Sequence, residues 1–320
     1  MSNYKKEVID SVFVTKNSKK HFSDTKFNST YSLYEVFHNL YLGSLEGFKH
    51  EVEKKMYCIT HIIGLVSFPD IVDLSNYKVL FLDVLDKEQQ NIIQYFPKSI
   101  EFIQKCFNTN PESKVLIFCQ AGISRSTTIA AAYLMQTLKI SKEKTIELIK
   151  KTHPHAQPNP GFIDQLQLFE DCDYTPNEGK KKYREWLLKH ETIMSLNAKA
   201  IPSISLYTNY ESIKEREINF RCKKCRFLLA NSDYIIDHSP LNDETHKISI
   251  YSSHCTHLFL EPLIWMKKEL DNGNIEGKLN CPKCNSRIGK YAWQGMTCSC
   301  KKWVIPALSI QKGKIDIIKK

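Results

Sequence analysis

The sequence predicts an α/β domain built on a mainly parallel sheet, followed by a small β-rich domain dense in cysteine. Three observations predict it. Between Tyr31 and Cys172, short apolar runs of strand length alternate with longer segments of helical period. Seven of the eleven cysteines fall between Phe220 and Ile310. Residues 1–180 hold 21 Lys+Arg and 21 Asp+Glu, whereas residues 181–320 hold 24 and 14, which accounts for the whole net charge of +10.

Composition narrows the class. At 320 residues the chain suits two domains, and its 42% hydrophobic and 25% charged residues are those of an ordinary soluble protein. The apolar run IAAAYLM is far short of the ~18 residues that span a bilayer, so no membrane contact is expected. The polar start MSNYKKEVIDSVFVTKNSKK lacks the apolar centre of a secretory signal. The expected address is cytoplasmic and nuclear, where cysteines serve as thiolates or metal ligands rather than disulfides.

The elements follow in order. Residues 1–28 read as a polar arm, and YEVFHNLYLG as a strand ending at Gly43. SLEGFKHEVEKKM reads as a short helix, THIIGLVSF as a buried strand stopped by Pro69, and YKVLFLDV as a second buried strand. QQNIIQYFPKSIEFIQKCF has helical spacing, with Ile92, Ile93, Phe96, Ile100 and Ile103 on one face. KVLIF is a third buried strand and runs through CQAGISRS into the helical STTIAAAYLMQTL. Two further helices, SKEKTIELIKK and GFIDQLQLFEDC, flank the Pro-rich HPHAQPNPG, whose His153 and His155 read as loop residues. The domains divide as 29–172 and 220–320, joined by a linker at 173–219 that includes one helical stretch, KKKYREWLLKH.

Chemistry concentrates in FCQAGISRS, residues 118–126. A loop between a buried strand and a helix can point its N–H groups at one anion, and the helix terminus adds partial positive charge. Cys119 at the base of such a cradle gains thiolate character. Arg125 can grip two phosphate oxygens with its planar fork. Gln120, Ala121, Gly122, Ile123 and Ser124 form the loop, with Gly122 permitting close backbone approach. The Ser126 hydroxyl can hydrogen-bond the sulfur. The bland alternative, a buried cysteine beside a helix start, fits the spacing of Cys, Arg and Ser less well.

The segment resembles the protein tyrosine phosphatase signature HCxxGxxR followed by Ser or Thr, in its dual-specificity form with AGxSRS. The resemblance extends over residues 31–172 through LYLG, DKEQQNIIQYF and QPNPGF. It implies that Cys119 attacks a phosphoester, that Arg125 binds the phosphoryl group and that an aspartate protonates the leaving oxygen, with no catalytic cofactor. The matching aspartate is Asp86, 33 residues before Cys119, with Asp83 as competitor. Asn159 matches a position that braces the site, or is simply a turn residue between two prolines. One position departs: the family has His before the cysteine, and this chain has Phe118. The departure implies a less well-held thiolate and slower turnover.

The second constellation comprises Cys222, Cys225, His238, Cys255, Cys281, Cys284, Cys298 and Cys300. Two C-x-x-C knuckles in a small basic domain point to tetrahedral Zn2+, and eight ligands suffice for two structural ions. Sequence order groups Cys222, Cys225, His238 and Cys255 apart from Cys281, Cys284, Cys298 and Cys300. Alternatively, the two knuckles share one ion across 55 intervening residues. His246, His254 and His257 compete with His238. Trp293 and Trp303 read as core residues, with an RNA-stacking platform as the sharper alternative.

FRCKKC, FLEPLIWM, LNCPKC and CSCKKWVIPA resemble the C-terminal pattern of Yvh-type dual-specificity phosphatases. That resemblance implies a phosphoprotein substrate and a role for the zinc domain in large ribosomal subunit maturation, on pre-60S particles or rRNA. Two functions therefore stand side by side: an enzyme, or a catalytically weak or inactive pseudo-phosphatase that binds pre-ribosomes through its zinc domain.

Overall fold

The computed structural model describes residues 33–66, 73–202, 207, 216–238 and 255–319. The arm at 1–28, the strand stop at Pro69, and His246 and His254 lie outside the described residues.

The first strand expected is instead a hairpin, β1 (Tyr34–Phe37) and β2 (Leu40–Ser44). Asn39 makes the turn at φ 58°, a left-handed conformation that Asn tolerates. Its N–H donates to the Glu35 carboxylate at 2.9 Å, and its side-chain amide to the Pro111 carbonyl at 3.2 Å. Then come α1 (Leu45–Lys54), β3 (His61–Leu65), β4 (Lys78–Phe81), α2 (Phe96–Thr109), β5 (Val115–Cys119), α3 (Arg125–Leu138), α4 (Lys142–Lys150) and α5 (Pro160–Asp171). The strand order is β1-β2-β5-β3-β4, with β1 antiparallel and every other pair parallel. This is the mainly parallel sheet that alternating apolar runs predict.

Central strand β5 is buried throughout, and its side chains alternate between two cores. Leu116 and Phe118 join Phe48 of α1 and Ile62 of β3 on one face. Val115, Ile117 and Cys119 join the residues of α2, α3 and α5 on the other. Cys119 thus ends the central strand at its carboxyl edge, the edge where open α/β sheets bind ligands. The face expected on α2 is buried at all five positions. Its α-helix starts later than expected, at Phe96 with Pro97 in its first turn, because Ile93–Tyr95 form a 3-10 turn.

The segment expected to be a linker contains α6 (Lys181–Asn197). This helix touches both halves: Tyr183 and Trp186 pack on the first core, and Leu196 on the second. Arg184 makes a bidentate pair with Glu261, at 2.7 and 3.1 Å, and the Glu261 side chain is 3% exposed. Breaking a buried pair of this kind typically costs about 3–5 kcal/mol.

The C-terminal half is β-rich. β6 (Ile218–Cys222), β7 (Leu228–Asn231) and the last strand, β15 (Ile315–Lys319), form one antiparallel sheet in the order β15-β6-β7. A second antiparallel sheet comprises β8 (Ile235–Ile236), β9 (His257–Leu260), β10 (Glu276–Asn280), β11 (Arg287–Ala292) and β14 (Ala307–Gln311), ordered β10-β11-β14-β9-β8. A short helix, α7 (Lys267–Leu270), precedes β10, and a two-stranded ribbon joins β12 (Met296–Thr297) to β13 (Trp303–Val304). Trp293 is fully buried in the core between the sheets, whereas Trp303 is 56% exposed.

Candidate active site and metal centres

The loop after β5 is held from outside by its carbonyls. Leu45 N–H donates to the Gln120 carbonyl at 3.3 Å, and Gln157 N–H to the Ile123 carbonyl at 2.9 Å. His153 Nε2 lies 2.9 Å from the Gly122 carbonyl. A trans peptide points its N–H opposite to its C=O. Holding these carbonyls outward therefore turns the N–H groups of Ala121, Ile123 and Ser124 inward. Gly122 allows this curvature at φ 75°, with its Cα so close to β2 that an added Cβ would lie 2.7 Å from the Gly43 carbonyl carbon. Helix α3 begins at Arg125 with no side-chain cap and no acidic residue in its first turn, so its terminal N–H groups also face the loop.

Cys119 and Ser126 are both buried, with Sγ and Oγ 3.3 Å apart. Arg125 Nη1 donates to the carbonyls of Leu65 at 3.0 Å and Val84 at 2.9 Å, which orients the guanidinium. Its Nε is buried and makes no hydrogen bond among the described residues, leaving that edge of the fork for an anion.

Asp86 lies at this loop. Ser124 Oγ and Asn159 Nδ2 each donate to its Oδ1 at 2.8 Å, and Arg125 Nε is 3.7 Å from its Oδ2. Asp83 is exposed on the preceding segment. Asn159 fills both of the roles open to it: Oδ1 caps α5 by accepting from Phe162 N–H at 2.9 Å, while Nδ2 reaches Asp86.

Three bracing residues escaped the sequence reading. Gln165, buried on the core face of α5, accepts from the N–H groups of Ile92 and Ile93 and donates to the Gln90 carbonyl. A glutamine among Phe162, Leu166 and Phe169 was the available signal. Gly161 packs so tightly on the segment after Asp86 that an added Cβ would lie 2.1 Å from the Glu88 carbonyl oxygen. His153 is the loop residue expected, but it is also buried against the phosphate loop, and the HPH sequence carries no pattern that marks this. Phe118 is buried away from the cysteine side, stacked on Phe48 with ring centroids 4.2 Å apart and edge-on to Phe81.

The eight expected metal ligands form two clusters. Cys222, Cys225, Cys281 and Cys284 make one, and His238, Cys255, Cys298 and Cys300 the other, with ligand atoms in each within 4.8 Å of one another. Sequence order is therefore overturned, and the two knuckles share a site. The reason is structural repetition. In each knuckle the residue after the second cysteine donates back to the first cysteine's carbonyl, Arg226 to Cys222 at 2.8 Å and Asn285 to Cys281 at 2.9 Å. Arg226 and Asn285 both take positive φ, at 64° and 54°, so the two turns are alike and present two sulfurs each.

Distances between the two knuckles of 3.7 Å for Cys222–Cys284 and 3.5 Å for Cys225–Cys281 suit four sulfurs about 2.3 Å from one ion. His238 Nε2 is 3.1 Å from Cys298 Sγ, and burial lowers the imidazole pKa, favouring the neutral form that binds metal. His257 stays outside both clusters. These two groups could each hold a metal ion.

Comparison with known proteins agrees with this architecture. The family described as Dual specificity phosphatase, catalytic domain, matches residues 40–172. Over most of its length the chain is 37% identical to Tyrosine-protein phosphatase yvh1 of Schizosaccharomyces pombe, covering 92% of this chain and 87% of that protein. It is 31% identical to Tyrosine-protein phosphatase YVH1 of Saccharomyces cerevisiae, covering 88% and 90%. It is 32% identical to human Dual specificity protein phosphatase 12, covering 75% and 74%. Among the described residues no helix is long and apolar enough to cross a membrane.

Proposed function

The chain belongs to the dual specificity phosphatases of the Yvh1 type, and on that premise we propose that it hydrolyses phosphotyrosine and phosphoserine or phosphothreonine in proteins through a phosphocysteine. The observation that carries this is the convergence of Cys119, Ser126, the Arg125 fork and Asp86 on one loop of inward N–H groups. The Cys119 thiolate attacks phosphorus, forming a P–S bond as the P–O bond breaks. Protonated Asp86 supplies the proton to the leaving oxygen. In the second step Asp86 takes a proton from water as it attacks, the P–S bond breaks, and Ser126 donates to the departing sulfur. Arg125 and the loop amides hold the phosphoryl oxygens through both steps. Cys119→Ser tests the reading: turnover of an aryl phosphate should fall to background in a folded protein. Turnover equal to wild type in that variant, or none in wild type, rejects it.

The C-terminal clusters hold two structural Zn2+ ions in this reading, since three or four thiolates with at most one imidazole suit zinc. In this reading the catalytic domain spans 29–172, the connector 173–217 and the zinc domain 218–320, since β6 begins at Ile218, two residues before the expected boundary.

A second role, large-subunit maturation on pre-60S particles or rRNA, is favoured by the one-sided charge and by exposed Trp303 beside Lys301 and Lys302. Cytoplasmic and nuclear residence goes with it. Co-sedimentation with pre-ribosomal particles that weakens with salt and with Trp303→Ala is the expected result, and its absence at low salt removes this role. Binding by a wild type without turnover leaves the pseudo-phosphatase reading alone.

A further inference from the structure

Gly122 has no Cβ to restrict its ψ, so the tilt of the Gly122–Ile123 peptide depends on what holds its carbonyl. Rotation of the Gly122–Ile123 peptide away from this tilt turns its N–H off the anion and removes one attraction there. The neighbouring carbonyls of Gln120, Ile123 and Ser124 are held by the backbone N–H groups of Leu45, Gln157 and Thr128. The Gly122 carbonyl is held by a side chain, His153.

We propose that His153 is a positioning residue for phosphoryl transfer: its Nε2–H locks the Gly122–Ile123 peptide so that Ile123 N–H faces the phosphoryl group. The proposal rests on the phosphatase reading. The imidazole is built for the task. It is 3% exposed and stacked on Tyr34, with ring centroids 4.1 Å apart and planes 21° from parallel. Its own backbone is fixed by the His153 N–H to Ile149 carbonyl bond at 3.0 Å and by Ala156 N–H on the His153 carbonyl. A carbonyl can only accept, so the proton must sit on Nε2. Burial pulls the imidazole below the ordinary histidine pKa, with bound Gly122 opposing and His155 reinforcing the shift, so it is neutral near pH 7. Its Nδ1 has no hydrogen-bond partner among the described residues, and moving the proton there would bury an unsatisfied donor while releasing Gly122. One tautomer is thereby selected, and with it one orientation of the loop peptide.

The test uses the full-length chain, orthovanadate as the oxyanion probe and an aryl phosphate as substrate, at pH 7. His153→Phe keeps a flat ring on Tyr34 and removes the donor, and His153→Met does so without the ring should Phe not fold. His153→Gln returns an amide N–H to nearly the same place. The expected result for the donor-less variants is vanadate binding weakened roughly tenfold and kcat lowered roughly tenfold to a hundredfold, with Tm little changed. His153→Gln should recover most of both. Vanadate affinity and kcat at wild-type level in a folded donor-less variant overturn the proposal. So does loss in His153→Gln as large as in His153→Phe, tracking Tm, which is the signature of a merely structural residue. Wild type that fails to bind vanadate overturns the phosphatase reading itself, and this proposal with it.

Discussion

The phosphate loop and the metal clusters solve one problem, holding charge, by opposite means. Cys119 to Ser126 are consecutive, and one strand-to-helix turn points their N–H groups at a common centre. Each metal cluster instead joins residues as much as 62 positions apart, such as Cys222 and Cys284, which the fold brings together from separate segments. The loop's geometry is a property of local backbone, whereas the clusters are a property of topology. A substitution in the first should silence chemistry and spare the fold. In the second, removing one ligand should dismantle a domain.

Metal stoichiometry gives the largest expected effect and can break the comparison outright. Cys225→Ser with Cys281→Ser should lose about one ion per chain, because both serve the same cluster. Cys225→Ser with Cys255→Ser should lose about two. Pairing in sequence order expects the reverse, so the metal content of purified variants decides between them. A structural zinc site contributes on the order of 10 kcal/mol or more to folding, comparable to the whole stability of a domain. Each loss should therefore appear as protease sensitivity of the C-terminal half.

The acid tests where local construction ends. Asp86 arrives from another segment, carried to the loop by Ser124, Asn159 and the packing of Gly161 on Glu88. Asp86→Asn should lower turnover of an alkyl phosphate by about 10²–10⁴, the usual worth of a positioned acid. A nitrophenyl ester, whose leaving group departs without a proton, should lose far less. Asp83→Asn should change neither by more than about threefold. Equal losses for both esters would remove Asp86 from proton transfer and leave it a role in holding Ser124.

Legibility follows the same division. The parallel sheet, the loop and the helices were readable because each rests on patterns within some ten to twenty residues: apolar runs of strand length, apolar residues at helical spacing, and the spacing of Cys119, Arg125 and Ser126. The hairpin at Asn39 was hidden, since YEVFHNLYLG is continuously strand-like and only one residue takes the left-handed turn. The metal pairing stayed open between two groupings for a different reason. Two knuckles of equal geometry carry no record of which partner they face. Gln165 and His153 act across the fold, on segments 72 and 31 residues away, so neither their spacing nor their neighbours marked them.

Phe118 makes the smallest and most discriminating test, because it is local in sequence yet belongs to the other side of the sheet. The resemblance implies that His at this position would hold the thiolate better. The structure argues otherwise: residue 118 faces Phe48, Phe81 and Gly64 within an apolar cluster, while Cys119 faces the opposite core. Phe118→His gives up a stacked pair worth about 0.5–1.5 kcal/mol beyond its area. It also buries an imidazole among carbons, at about 1–3 kcal/mol if unpartnered. The expected outcome is a stability loss of roughly 2–4 kcal/mol by denaturant titration, with kcat within about threefold of wild type. A variant ten times faster than wild type would mean that the α1 face communicates with the sulfur after all, and the loop could no longer be treated as a self-contained anion site.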